Sequence, residues 1–365
     1  MCNNLYLLIL SNSLKMKKVI LGTAALLCGA VVFAQSNDSD VYQNGNSNSA
    51  AVTQTGANNY SDVLQNGTEN EAYATQSGVN NESTIEQAGS QPFKVKRNLA
   101  TIVQTGDDNV SFARSQDGED NVITTTSVGN DNDAYVKQIG SRNGSTIDQL
   151  GDGNVARSTV TFSDDNSSTI LQTGNGNVSK TAQSYGPARG DGGGNTSTVT
   201  VNGNYNDAFT NQTGGNNTST MKQDGDNNLS DTDQIGDNNR AKTTQLENLS
   251  DSFITQIGNG NAATVRQYAE DGNWSDVDQL GDNNRANVDQ FGANNSSTIW
   301  SEGNGNINDV DQGIQNGGGR SWGSMSTISQ TGDFNMGTVQ QLGNGQMSTV
   351  TQMGNGNTST VTQSN

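Results

Sequence analysis

The sequence predicts an all-β chain: a two-sheet parallel β-solenoid of about 14 coils, built from 11-residue strand-turn half-repeats, after an N-terminal signal peptide. Three observations predict it. Gln recurs every eleven residues along most of the chain, and Val or Ile stands two residues before that position in 19 of 28 repeats. Gly commonly follows two residues later and opens a turn rich in Asn and Asp. The pattern is plainest at the end of the chain, where Gln330, Gln341, Gln352 and Gln363 mark the period. From each Gln, Asn or Gln stands five later (Asn335, Gln346, Asn357), a small residue seven later (Gly337, Ser348, Ser359) and Val nine later (Val339, Val350, Val361). Odd offsets from Gln place all of these on one face of an extended chain, so each unit reads as one strand followed by a turn.

Composition alone points the other way. With 30% hydrophobic residues, 5% aromatics, a mean hydropathy of −0.71 and a net charge of −19, the chain has the profile of a disordered polymer. Periodicity overrides that profile, because stacked units share a core that no single unit could form. There is no His, and the only Cys residues are Cys2 and Cys28. Ser-His triads, Cys nucleophiles, His/Cys metal sites and structural disulfides are thereby excluded downstream. The sequence offers no catalytic residue, cofactor site or metal site, and the chain is expected not to be an enzyme. Asp-Asn turns such as Asp107-Asp108-Asn109 and Asp237-Asn238-Asn239 read as turn formers, since the nonapeptide calcium pattern is absent.

In chain order, Met16-Lys17-Lys18, the apolar run Val19 to Phe33 and the small residue Ala34 form a secretory signal peptide over residues 1–34, with the start at Met16. The run of about fifteen apolar residues is shorter than the ~20 that span a bilayer, so no transmembrane segment is expected in the mature chain. Removing residues 1–34 leaves 15 basic and 37 acidic residues, a net charge of −22. Residues 35–365 form the repeat domain. Its lattice runs through Gln43, Gln54, Gln65, Gln76 and Gln87, then from Gln104 through Gln116, Ser127 and Thr161 to Gln183, then from Val201 through Ser301 to Gln312, and closes at Gln363. Long loops interrupt it near 88–98, 184–195 and 313–324, and both prolines of the chain, Pro92 and Pro187, lie in the first two. If strands alternate sides, the first two loops leave one edge of the stack and the third leaves the other. Single-residue slips before Gln116 and Thr161 are expected as bulges within strands, and the slip between Gln267 and Asn273 as an extra turn residue.

Each pair of strands makes a coil of about 22 residues, and the coils stack at ~4.8 Å with two sheets ~10 Å apart. Stacked Asn and Gln amides can bond along the axis, which satisfies polar groups that burial would otherwise penalise. Strands begin at Val41, next to the cleavage site, and end at Gln363, so both terminal edges are expected to be open to further pairing. Asp231, Asp233, Asp276, Asp278, Asp309 and Asp311 point outward, and as stacked like charges are expected to delay assembly until export. Lys94, Lys96 and Arg97 read as surface charge in a long loop. Trp274, Trp300 and Trp322 do not follow the lattice and make no aromatic array.

The phrase Ser-x-Val/Ile-x-Gln-x-Gly-x-x-Asn-x-Ser/Ala, as in Ser83-Thr84-Ile85-Glu86-Gln87 or Gln279-Leu280-Gly281 running to Asn284, Ala286, Val288 and Gln290, resembles the curlin repeat of curli subunits. The resemblance covers essentially Val41 to Gln363. It implies a secreted, self-assembling functional amyloid acting as a cell-surface fibre in adhesion and biofilm matrix, as major or minor subunit. It further implies self as the fibre partner, with a nucleator or major-subunit homologue and an outer-membrane export pore with its chaperone; nucleic acid is not implied. In that family the Gln, Asn, Ser and aliphatic positions line the fibre core. Here that role falls to Gln54, Asn59, Ser61, Val63, Gln65, Gln279, Asn284, Val288 and Gln290, and to Val339, Gln341, Ser348, Val350, Gln352, Asn357, Ser359, Val361 and Gln363. The alternative is a monomeric secreted β-solenoid, an adhesin or an ice-binding protein; ice binding wants a sustained Thr-x-Thr face, of which Thr358-Ser359-Thr360 is one instance.

Overall fold

A computed structural model describes residues 36–89, 95–185, 193–313 and 320–364. The expected signal peptide and the centres of the three long loops lie outside the described residues. Each described repeat forms a strand, because its inward residues alternate with outward ones that are largely β-branched or polar, and Gly or Asn reverses the chain at its end. Twenty-eight strands result, β1 (Asp38–Asn46) to β28 (Thr358–Gln363), with no helix among the described residues. Odd-numbered strands make one 14-stranded parallel sheet in sequential order and even-numbered strands the other. Every strand lies in register over the one a coil earlier: Val41 pairs with Val63 and Gln43 with Gln65 at one end, Val339 with Val361 and Gln341 with Gln363 at the other. The chain is an all-β solenoid of about 14 coils.

Between the sheets most interior strands bury a small residue, an aliphatic residue and the lattice residue, as with Ser83, Ile85 and Gln87, all fully buried, while Thr125, Ser158, Thr181 and Thr210 are among the hydroxyl residues that take the aliphatic position. Complete burial of an aliphatic side chain contributes about 1.5–3 kcal/mol. The aliphatic column supplies most of the apolar core, which forms two clusters, from Val63 to Met221 and from Ala241 to Val350. Between them Thr232 in β17 (Leu229–Ile235) and Thr243 in β18 (Arg240–Gln245) occupy the aliphatic position.

The two expected bulges do not form. In β7 (Val110–Gln116) it is Ser115 that pairs with Gln87 and Gln138, and in β11 (Val155–Thr161) it is Val160 that pairs with Gln138 and Gln183. Ser115 and Val160 hold the lattice position, and Gln116 and Thr161 lie one residue beyond it, half-buried. The extra residue sits in the following turn, where Asp117 and Phe162 both adopt a φ of 52°. A bulge would leave a residue unpaired and disrupt the ladder to the coils on both sides, whereas a turn accommodates the extra residue with the ladder intact. The slip before Asn273 falls in a turn, as expected.

The first two long loops follow β5 (Glu82–Gln87) and β13 (Val178–Ser184), leading from the odd sheet to the even one. The third follows β24 (Ile307–Gln312) and leads the other way, so the expected division between edges holds. Turn glycines allow the coils to stack this closely. Gly236 has φ +116°, and a Cβ there would lie 2.1 Å from the carbonyl oxygen of Gly258 in the next coil. Only glycine combines that backbone angle with that approach.

Candidate assembly interface

Two columns of side-chain amides run along the stack. In the Gln column, Gln65 Nε2 donates to Gln87 Oε1 at 2.8 Å and to the Ser49 carbonyl of the facing sheet at 3.0 Å. It thus ties successive coils to each other and the two sheets together. The column lapses at Ser115, Ser127, Val160, Val201 and Ser301, where the ladder is interrupted or replaced by a hydroxyl or an aliphatic contact. Its longest unbroken run is in the even sheet, from Gln223 through Gln245, Gln267, Gln290, Gln312 and Gln341 to Gln363.

Asn occupies the end of most turns. Asn81 donates its backbone N–H and its Nδ2 to Asn59 Oδ1 at 3.1 and 3.0 Å, and donates Nδ2 to the Gly106 carbonyl at 2.7 Å. One side chain therefore satisfies a buried backbone donor of the next coil and a turn carbonyl as well. On the edge leading from odd to even strands, all 14 turns carry this Asn, from Asn48 to Asn357. Each after the first donates its backbone N–H to the Oδ1 a coil earlier. On the opposite edge Ser250, Ser324 and Gln346 replace Asn.

The expected core residues lie in these columns. Asn59, Ser61, Val63, Gln65, Gln279, Val288, Gln290, Val339 and Gln341 are fully buried, Asn284 is nearly so, and Ser348, Val350 and Gln352 are buried close to the end. Gln54, Asn357, Ser359, Val361 and Gln363 are half-buried, because among the described residues no further strand covers the outer side of β2 (Ser49–Ala57), β27 (Met347–Met353) or β28. The two ends present matching rows. Ser348, Val350 and Gln352 repeat the spacing of Ser39, Val41 and Gln43, and Ser359, Val361 and Gln363 repeat that of Ala50, Val52 and Gln54. In each Gln pair Nε2 of the earlier coil donates to Oε1 of the later one, as from Gln43 to Gln65 at 2.6 Å and from Gln330 to Gln352 at 2.7 Å.

The outward acids are not stacked as expected. In register, Asp231 lies between Phe209 and Phe253, Asp276 between Phe253 and Thr298, and Asp309 beside Asn287. Of the six, only Asp311 has a carboxylate neighbour in register, Asp289. Burial, with Asp309 and Asp289 adding repulsion, pushes the Asp311 carboxyl up to about 6. Burial also raises Asp231, Asp276, Asp278 and Asp289. Beside Asp311, Arg266 pairs with Asp289 at 2.6 Å in a shallow groove with Tyr268 and Phe291.

Lys94 lies outside the described residues, and Arg97 forms a two-pronged pair with Asp120 at 2.7 and 2.8 Å. Asp120 is held below the usual carboxylate range by that contact. Among the described residues no three His, Cys, Asp or Glu side chains converge on a metal position, and no helix is long and apolar enough to cross a membrane. Sequence reasoning missed two features that emerge only when residues one coil apart are aligned. Phe112 and Tyr135 stack at 5.0 Å and 7°. A single file of Thr101, Thr124, Thr146, Thr169, Thr198 and Thr220 runs over six even strands. The neighbouring file contains Val103, Asp148, Leu171 and Lys222, so a paired Thr-x-Thr face is not sustained.

The curlin associated repeat matches residues 34–63, 57–89, 129–161, 271–292 and 281–313. This is a curlin-repeat protein. Between the matched segments the curlin-type ladder continues without a change of architecture, as in the run of Gln residues from Gln212 to Gln256. No curated protein matches the chain.

Proposed function

We propose that the chain is a secreted structural subunit that self-assembles by strand stacking into curli-like functional amyloid fibres for adhesion and biofilm matrix. The observation that supports this reading best is the match between the two ends. Placing β1 of one copy on β27 of another, and β2 on β28, continues every row: Ser39 on Ser348, Val41 on Val350, Gln43 on Gln352, Val52 on Val361 and Gln54 on Gln363. The amides then run donor to acceptor across the joint in the sense they keep inside the chain, which favours head-to-tail over head-to-head addition. Charge favours the same polarity. β27 and β28 carry no charged residue, whereas β1 carries Asp38 and Asp40, which head-to-head contact would bring together.

On this reading residues 1–34 are removed as a signal peptide and residues 35–365 are exported through an outer-membrane pore with a chaperone. A nucleator or major-subunit homologue starts the fibre at the cell surface. The role is structural, without catalysis, cofactor or nucleic acid. Seeded growth tests it. Fragments of preformed fibre abolish the lag of residues 35–365 in an amyloid-dye assay, and Val361→Lys, which places a charge at the open end, slows elongation at least ~tenfold. Equal elongation by the Val361→Lys chain would refute addition at that end.

A further inference from the structure

The outer face of the odd sheet carries charge in blocks. Two outward files run along it, one through Phe112, Tyr135, Arg157 and Lys180, the other through Arg114 and Lys137. These residues lie on four successive odd strands, β7, β9 (Asp133–Ile139), β11 and β13, and concentrate four cations on a chain that is strongly acidic. Arg114 pairs with Glu86 at 3.3 Å and Arg157 with Asp133 at 3.5 Å, whereas Lys137 and Lys180 form no ion pair among the described residues; Lys180 sits over the Phe209 ring at 5.3 Å. Further along the same face come Asp231 and Asp233 on β17, then Asp276 and Asp278 on β21 (Trp274–Leu280). These four acids are half-buried and have no salt bridge among the described residues. Between the blocks lies Phe209, on β15 (Asp207–Thr213), the eighth of the fourteen odd strands.

We infer that this face pairs side by side with the same face of a second copy of the chain, about a two-fold axis that runs along β15. Rotation about the strand direction turns the sheets face to face, reverses the order of the coils and leaves each outward file opposite itself. Lys180 of one copy then lies opposite Asp231 of the other, and Lys137 opposite Asp278. Arg157 meets Phe253, Arg114 meets Trp300, and Phe209 meets Phe209. Every cation of the block thus finds a carboxylate or an aromatic face, both of which stabilise it, and the isologous contact makes each of these pairings twice, with Asp276 opposite Tyr135 and Asp233 opposite Ala182. A polyanionic partner would engage the basic block alone and leave the acidic block bare. The pairing does not depend on end-to-end growth, which by itself keeps equivalent residues 14 coils, or ~67 Å, apart.

Single-cysteine cross-linking tests it on residues 35–365, which contain no Cys. Phe209→Cys should give a disulfide-linked dimer in at least ~tenfold higher yield than Thr327→Cys, a residue on the same face whose counterpart the axis places ten coils away, ~48 Å. A mixture of Lys137→Cys and Asp278→Cys chains should cross-link between variants, and raising salt from 50 to 500 mM should lower every yield. Cross-linking of the mixture without that of Phe209→Cys would overturn the two-fold arrangement. Equal yields from Phe209→Cys and Thr327→Cys, or none from any variant at low salt, would overturn the pairing. Fibre growth scored separately by dye binding keeps these outcomes distinct from a failure of end-to-end assembly.

Discussion

The two edges of the solenoid solve one problem with different strictness. On the edge leading from odd to even strands the Asn column never lapses, although two of the three long loops leave from that edge. Asn98 and Asn195 close those loops, and each donates its backbone N–H to the Asn Oδ1 of the preceding coil, at 3.1 and 3.0 Å. On the other edge Ser250 and Ser324 still donate their backbone N–H to an Asn Oδ1, at 3.0 and 3.1 Å, but offer no amide in return. The difference shows what Asn contributes: an acceptor that places the next coil, supplied again after two of the three long loops, whereas Ser324 closes the third. The interior Gln column, which spans the core but does not close a turn, tolerates Ser and Val.

Five substitutions test this contrast. The largest effect is expected from Asn195→Ala, which strips the acceptor from the Asn217 backbone N–H and the donor from the Gly214 carbonyl. At about 1–3 kcal/mol for each buried group left unpaired, local stability should fall by about 3 kcal/mol, read as roughly hundredfold faster hydrogen exchange around β14 (Thr196–Asn202). Ser250→Ala should cost less than about 1 kcal/mol, and equal losses for the two would break the comparison.

Next comes pH. Asp311 lies on β24, just before the loop that Ser324 closes. With its carboxyl raised to about 6 in the fold, the folded chain binds that proton more tightly than the unfolded one. The stabilisation is complete below the unfolded value near ~4 and is lost as pH rises through about 6. After correction for intrinsic rates, exchange in β24 should therefore be slower at pH 4 than at pH 7.5, and Asp311→Asn should remove most of that dependence.

Gln212→Val should cost about 1–2 kcal/mol, because it takes the Nε2 donor from Gln234 Oε1 and the Thr196 carbonyl, a gap the chain already carries at Gln183 Oε1 after Val160 and at Gln223 Oε1 after Val201. A loss as large as that of Asn195→Ala would show that the Gln column is no more tolerant than the Asn column. The smallest effect is a gain. Ser250→Asn restores the missing amide and should stabilise its edge by roughly 0.5–1 kcal/mol, measured as slower exchange in β19 (Asp251–Ile257).

Fold class, strand number and the edges taken by the loops were legible in the sequence because a single period sets them. The lattice residue of β7 and β11 was not. Gln116 stands beside Ser115 and has the right identity one residue out of place, and only the buried partners Gln87 and Gln138 decide between them. The core columns followed from alternation. The face chemistry did not, since Arg157 and Lys180 become neighbours only when strands a full coil apart are laid side by side. Stacking of the six acids was misread for the same reason: Asp231 and Asp233 share a strand, and a Phe and a Thr separate them from Asp276 and Asp278.

In the proposed fibre the ladders inside one chain continue into the next. Diffraction from aligned fibres grown from residues 35–365 tests it most directly. Continuation predicts a sharp reflection at ~4.8 Å along the fibre axis and a diffuse one near ~10 Å across it. A chain that stays monomeric for days, or fibres whose ~4.8 Å spacing does not lie along the axis, would contradict it.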